Sequence, residues 1–131
     1  MRILVADDDY ISSELLTRIL APYGEVTNAP DGRKAIESFT NALDDNRPFR
    51  LVCLDIMMPE MNGQDALKTI RQIERDRGIP SEKEALIVMT TSLDDRANVV
   101  EAYYRGGATS YVPKPIDKDL FLQLLRGIGL I

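Results

Sequence analysis

The run Leu51-Val52-Cys53-Leu54-Asp55 constrains the fold more than any other stretch of this chain. Four apolar residues in succession, with no polar residue alternating among them, describe a strand buried on both faces, as in the interior of a parallel sheet. The run then stops at a carboxylate, and Ile56-Met57-Met58-Pro59-Glu60-Met61-Asn62-Gly63 follows as a turn. Asp55 is thereby placed at the carboxyl end of a strand. In an open parallel α/β sheet, ligands bind at that edge, because the loops leave the strands there and the next helices present their amino termini.

The same order of apolar run and then acid appears in Arg2-Ile3-Leu4-Val5-Ala6, which stops at Asp7-Asp8-Asp9. From Tyr10 to Ala21, the residues Ile11, Leu15, Leu16, Ile19 and Leu20 keep helical spacing, and Pro22 with Gly24 ends the segment. Glu25 to Ala29 reads as an edge strand, and Asp31-Gly32 opens a helix with Ala35, Ile36, Phe39 and Leu43 on one face. Ala66, Leu67, Ile70 and Ile73 mark a third helix, which runs into Glu74-Arg75-Asp76-Arg77-Gly78, read as a solvated helix face.

A polar connector over 78–84 leads to a second doubly buried run, Ala85 to Met89, which ends in the hydroxyls Thr90-Thr91-Ser92. Asp94-Asp95 start a fourth helix that reaches Tyr104 and closes at Gly106-Gly107. Ser110 to Pro113 is a short strand at a sheet edge, since Pro113 cannot donate to a ladder, and Asp117 caps a fifth helix carrying Leu120, Phe121, Leu124 and Leu125. Five strands alternate with five helices. Right-handed crossovers turn that alternation into a parallel sheet covered on both faces, expected to form one domain over 1–131 with no output domain.

Composition removes several function classes. With no histidine, the chain has no His-based acid–base catalysis, no His metal site and no phosphohistidine of its own. A net charge of −5 without basic clusters argues against a nucleic-acid surface. The one cysteine, Cys53, lies inside the central strand and reads as a small buried hydrophobe. No signal peptide and no apolar run of ~20 residues is present, so a cytoplasmic protein without a membrane segment is expected.

The chemically useful residues fall together at strand ends: Asp7 and Asp8 after the first, Asp55 after the third, Thr90 after the fourth, Lys114 after the fifth. An aspartate ahead of a helix is commonly a cap, so Asp9, and Asp8 with it, carry a structural reading beside the ligand reading. Two carboxylates ~5 Å apart repel by about 3 kcal/mol at an effective dielectric of ~20, and Lys114 alone cannot neutralise three. Oxygen ligands without His or Cys suit a hard cation such as Mg²⁺. Asp55 is then placed to be both a Mg²⁺ ligand and a nucleophile toward phosphorus, with an ammonium and a hydroxyl sharing the phosphoryl charge.

These residues resemble the receiver domain of two-component response regulators along essentially the whole chain, with the layout of the stand-alone chemotaxis type. The matching motifs are Ile3 to Asp9, Leu54-Asp55-Ile56-Met57-Met58-Pro59 with Gly63, Val88-Met89-Thr90, Gly107-Ala108 and Tyr111-Val112-Pro113-Lys114-Pro115. The resemblance implies a flavodoxin-like doubly wound sheet of order 2-1-3-4-5. It implies phosphorylation of Asp55 by a histidine kinase or histidine phosphotransfer protein, with Thr90 and Lys114 contacting the phosphoryl group. It also implies Mg²⁺ held directly by Asp8 and Asp55, through water by Asp7, and by the backbone carbonyl of Met57, and a cis Lys114-Pro115 bond. Tyr111 occupies the family's switch position, and with Val100 and Tyr104 it is expected to form an output surface for a downstream protein or a homodimer.

Some residues depart from the commonest pattern of that family: Met57 two residues after Asp55, Thr91 after Thr90, Ser92, Pro113 before Lys114, and the longer connector over 78–84. The Met57 side chain cannot orient an attacking water, so slow self-dephosphorylation is expected. Two other readings compete: a receiver-like module that binds without phosphorylation, and a Mg²⁺-dependent aspartyl phosphohydrolase, in which an acid rather than Met57 would usually follow the nucleophile. The leading reading is a signalling phosphoacceptor, which catalyses nothing beyond its own phosphorylation and dephosphorylation.

Overall fold

The computed structural model describes residues 1–92 and 107–131. Its five strands, β1 (Arg2–Ala6), β2 (Glu25–Ala29), β3 (Leu51–Asp55), β4 (Leu86–Thr91) and β5 (Ser110–Pro113), form one sheet. Every neighbouring pair is parallel, and the order is β2-β1-β3-β4-β5, as expected. The helices among the described residues are α1 (Tyr10–Leu20), α2 (Gly32–Asp44), α3 (Gly63–Asp76) and α4 (Lys118–Gly127). The helix expected from Asp94 to Tyr104 lies outside the described residues.

Side chains alternate across the sheet with the two-residue period of a strand, and the three inner strands therefore feed two cores. Leu4, Val52, Leu54, Ile87 and Met89 meet Ala35 and Phe39 of α2 and Leu67 and Ile70 of α3 on one face. Ile3, Val5, Leu51, Cys53 and Val88 meet Leu16 and Leu20 of α1 and Phe121 and Leu125 of α4 on the other. All of β3 is buried. Its Cys53 thiol is pushed up to about 12 by burial, in keeping with a small core residue.

Each of the four helices opens on an Asx cap whose carboxyl or amide oxygen accepts a backbone N–H of the first turn: Asp9 from Ile11, Asp31 from Lys34, Asn62 from Asp65 and Asp117 from Leu120. The packing shows which apolar residues of α1 and α4 face inward, and it corrects the reading of Glu74 as solvated. Ile11 is 76% exposed and Leu15 is also exposed, because α1 turns Leu16, Ile19 and Leu20 inward. Leu120 is exposed as well, since Phe121, Leu122 and Leu125 take the inner face of α4. Glu74, read as solvated, is only 1% exposed, because it faces the start of β4 rather than water.

The start of α3 is pressed against the end of β3. A β-carbon at Gly63 would run into the Asp55 carbonyl, so only glycine lets the helix begin this close to the strand. Gly63→Ala is expected to lower stability by roughly 1–3 kcal/mol, read from the midpoint of urea unfolding at unchanged m-value.

Candidate phosphoacceptor site

The sheet grows outward from β1 to β2, and the chain then returns to lay β3 on the other side of β1. That reversal opens a crevice between the carboxyl ends of β1 and β3. Asp7 and Asp8 follow β1, Asp55 ends β3, and one carboxylate oxygen from each lies within 4.8 Å of the others. Asp7 and Asp55 are buried, whereas Asp8 is exposed.

Asp9 stands apart from this group. Its carboxylate accepts from the Ile11 N–H and the Ser12 hydroxyl, and those bonds, the Ser12 bond first, hold its pKa below the ordinary value. The capping reading is thus the right one for Asp9, while Asp8 joins the cluster.

Lys114 reaches the crevice from the turn after β5. Its Nζ donates a hydrogen bond to Asp55 Oδ2 at 3.1 Å and forms an ion contact with Asp7 Oδ2 at 3.0 Å. The Lys114-Pro115 bond is cis, and Lys114 N–H bonds to the Thr91 carbonyl at 2.7 Å. Burial alone would lower the Lys114 ammonium, but its contacts with Asp7 and Asp55 outweigh burial and hold it above its usual range. The Met57 N–H donates to Asp55 Oδ1 at 3.2 Å, so both oxygens of Asp55 are oriented from opposite sides. That Met57 bond was not anticipated from the sequence, since any residue supplies a backbone N–H.

Asp55 bears the strain of this grouping. Burial, and then the charge of Asp7, push its pKa up to about 6 against the pull of Lys114. Thr90 pairs in register with Asp55 across β3 and β4, and its buried Oγ1 has no hydrogen-bond partner among the described residues. A buried hydroxyl beside the acids is a donor in reserve. Of the expected output residues, Tyr111 is exposed on β5, and Val100 and Tyr104 lie outside the described residues.

The donor set suits a hard divalent ion. Three carboxylates with converging oxygens and a single ammonium leave net negative charge, and no nitrogen or sulfur ligand lies among them. Mg²⁺ fits that set.

The family model described as the response regulator receiver domain matches residues 3–126. The chain belongs to this family. The receiver is 31% identical to the chemotaxis protein CheY of Thermotoga maritima over 98% of this chain and 97% of that one. It is 32% identical to CheY of Bacillus subtilis, over 95% and 94% respectively. Among solved structures it resembles Vibrio cholerae CheY4, with a TM-score of 0.79 at 25% identity over 97% of both chains. It also resembles a Borrelia burgdorferi CheY solved in a complex with CheX, BeF₃ and magnesium, with a TM-score of 0.81 at 25% identity, over 98% of this chain and 88% of that one. Receivers are signalling phosphoacceptors that bind Mg²⁺ through acidic residues, and the cluster at Asp7, Asp8 and Asp55 is of that kind. Among the described residues, no helix is long and apolar enough to cross a membrane.

The raised Asp55 pKa fixes a sign for stability. In the unfolded chain this carboxyl ionises near 3.8, and in the folded state near 6, so its destabilising charge is absent below about pH 4 and fully present above about pH 6. Without added Mg²⁺, Asp55→Asn is expected to stabilise the receiver by roughly 1–3 kcal/mol at pH 7.5, the gain fading toward pH 4. Urea titrations of both proteins across that range read the difference.

Proposed function

We propose that this receiver takes a phosphoryl group onto Asp55 from the phosphohistidine of a histidine kinase or a histidine phosphotransfer protein, and that the adduct changes a protein-binding surface. The observation that carries the reading is the setting of Asp55: a buried carboxylate gripped by Lys114, crowded by Asp7 and Asp8, and paired in register with Thr90, whose buried hydroxyl has no hydrogen-bond partner among the described residues. A module that bound partners without phosphorylation would have no use for mutually repelling acids. An aspartyl phosphohydrolase is disfavoured by the apolar Met57 side chain, 60% exposed, where such enzymes usually carry a second acid.

Asp8 and Asp55 would hold Mg²⁺ directly, Asp7 through a water, and Met57 through its carbonyl. Bound there, Mg²⁺ supplies the positive charge that lets an anionic donor approach three carboxylates. Lys114 and the Met57 N–H fix the rotation of the Asp55 carboxylate, so that it meets phosphorus without first losing rotational freedom. An Asp55 oxygen forms the new P–O bond as the donor's P–N bond breaks. The electron pair passes to the imidazole nitrogen, which takes a proton from water.

Lys114 then contacts a phosphoryl oxygen, and Thr90 turns its hydroxyl toward another and donates to it. Displacement of Thr90 frees room for Tyr111 to turn inward, and the two packings differ in what the β5 face offers a partner. Tyr111 on that face meets a downstream protein or a second copy of the receiver, while Val100 and Tyr104, expected beside it from the sequence, lie outside the described residues. We further propose that residues 1–131 form one receiver domain that acts in the cytoplasm and binds neither nucleic acid nor membrane directly.

Incubation with acetyl phosphate, followed by intact-protein mass measurement, tests the central step. A phosphoryl adduct is expected that requires both Mg²⁺ and Asp55 and is missing from Asp55→Asn; an adduct that persists in that variant contradicts the assignment. The exposed Met57 side chain offers no hydrogen bond to an attacking water, so Met57→Asn is expected to shorten the phosphoryl lifetime on the order of tenfold in a chase after donor removal.

A further inference from the structure

Among the described residues, Glu74 is the one buried carboxylate outside the acidic crevice. It sits near the end of α3, at the end of the sheet where the strands begin, and its hydrogen bonds reach the start of β4, the connector and Arg71 of its own helix. Its Oε2 accepts the Ala85 N–H at 2.7 Å, and its backbone carbonyl accepts the Ile79 N–H at 3.0 Å. Its Oε1 pairs at 2.7 Å with Nη1 of Arg71, whose side chain is 11% exposed.

Arg71 also donates to two backbone carbonyls that lie far apart in sequence. Nη1 reaches Ala85 O, just before β4, at 2.9 Å, and Nε reaches Gly107 O, just before β5, at 3.0 Å. Gly107 has a φ of +82°, and a β-carbon there would meet the Arg71 side chain at 3.5 Å. The guanidinium fork thus ties the starts of two neighbouring strands to one point on α3.

β5 needs such a tie. It is four residues long and lies at the sheet edge, paired to β4 alone, and Pro113 contributes no N–H to the ladder. A strand of that kind specifies its register weakly. Its entry is pinned by Arg71 to Gly107 O and by Thr109, which exchanges bonds with Ile87 at 2.8 and 2.9 Å. Its exit leads directly to Lys114.

We propose that Arg71, held in place by Glu74, is a positioning residue for the phosphoacceptor site: by joining Ala85 O to Gly107 O it sets where β5 lies along β4, and so where Lys114 comes to rest against Asp55. The connector over 78–84 belongs to the same device, since Ile79 bonds to Glu74 and the Glu84 carboxylate lies 4.0 Å from Arg71 Nη1. The kinetic part of this inference rests on the reading of Asp55 as the phosphoacceptor. The structural part does not.

The test uses the full chain and the double variant Arg71→Met/Glu74→Leu, in which both charges leave together and neither is stranded in the core. Three quantities are read: amide exchange at Val112 and Lys114, whose N–H groups face β4, Mg²⁺ affinity by calorimetry, and the rate of adduct formation with acetyl phosphate at saturating Mg²⁺. Exchange at Val112 and Lys114 is expected to rise about tenfold relative to the β1 and β3 amides. Mg²⁺ affinity, which depends on acids at β1 and β3, is expected to stay within about twofold, while the phosphorylation rate falls by about tenfold or more. Arg71→Lys, with one compact donor group in place of the fork, is expected to recover only part of the rate.

A merely structural pair would lower the unfolding midpoint and leave exchange at β5 in step with the rest of the sheet. Unchanged relative exchange at Val112 and Lys114, or a folded double variant phosphorylated at the wild-type rate, would overturn the proposal. If the unaltered chain forms no Mg²⁺-dependent adduct, the phosphoacceptor reading fails instead, and the exchange comparison alone decides whether Arg71 positions β5. Should the double variant not fold, Arg71→Lys carries the same three readouts.

Discussion

The repulsion among Asp7, Asp8 and Asp55 is the constraint on which the rest of this structure depends. Three carboxylate oxygens within 4.8 Å of one another are unfavourable by ~3 kcal/mol per ionised pair at an effective dielectric of ~20, and one ammonium offsets only part of that. Such a group persists because the scaffold around it is not free to relax. β1 and β3 are neighbours with register fixed over Ile3↔Leu51 to Ala6↔Leu54, and each side chain along them is committed to one of two cores. Sliding either strand by one residue to separate the acids would turn its apolar residues onto the wrong faces.

The same commitment explains why the chemistry sits at one edge. Parallel strands all end on the same side, and the reversal of direction between β2 and β3 leaves a gap there that no crossover fills. Asp9, Asp31, Asn62 and Asp117 begin their helices near that edge with their own oxygens on the first N–H groups. The first-turn N–H groups are thereby satisfied by the caps, and of the three crevice acids Asp7 is drawn in at the start of α1, its Oδ1 accepting the Asp9 N–H at 2.8 Å. Polar residues close together in sequence thus divide into two trades: Asp9 caps, and Asp7 and Asp8 face the crevice.

Much of this was legible in the residues. Doubly buried runs that stop at an acid or a hydroxyl located β1, β3 and β4 and placed Asp7, Asp55 and Thr90 at their ends, and Pro113 marked β5 as an edge. What the helical period conveys is a stripe, not which neighbour covers it. Ile11, Leu15 and Leu120 satisfy the spacing yet face solvent, because α1 and α4 are rotated so that Leu16, Leu20, Phe121 and Leu125 fill the space over the sheet. Glu74 was misread for the opposite reason. Its charged neighbours suggested a wet face, although its spacing from Leu67 and Ile70 continues the buried stripe, and Arg71 stands one turn before it to neutralise it. A charge in apolar register with an opposite charge three residues earlier was the available signal.

The central strand carries one more consequence. Cys53 is the sole cysteine of the chain, enclosed between β1 and β4 with its thiol held protonated by burial. Thiol reagents act on the thiolate, so the folded protein is expected to resist them. A cysteine placed anywhere on the surface would be the only reactive one, and a single spectroscopic label could be attached without first altering the core.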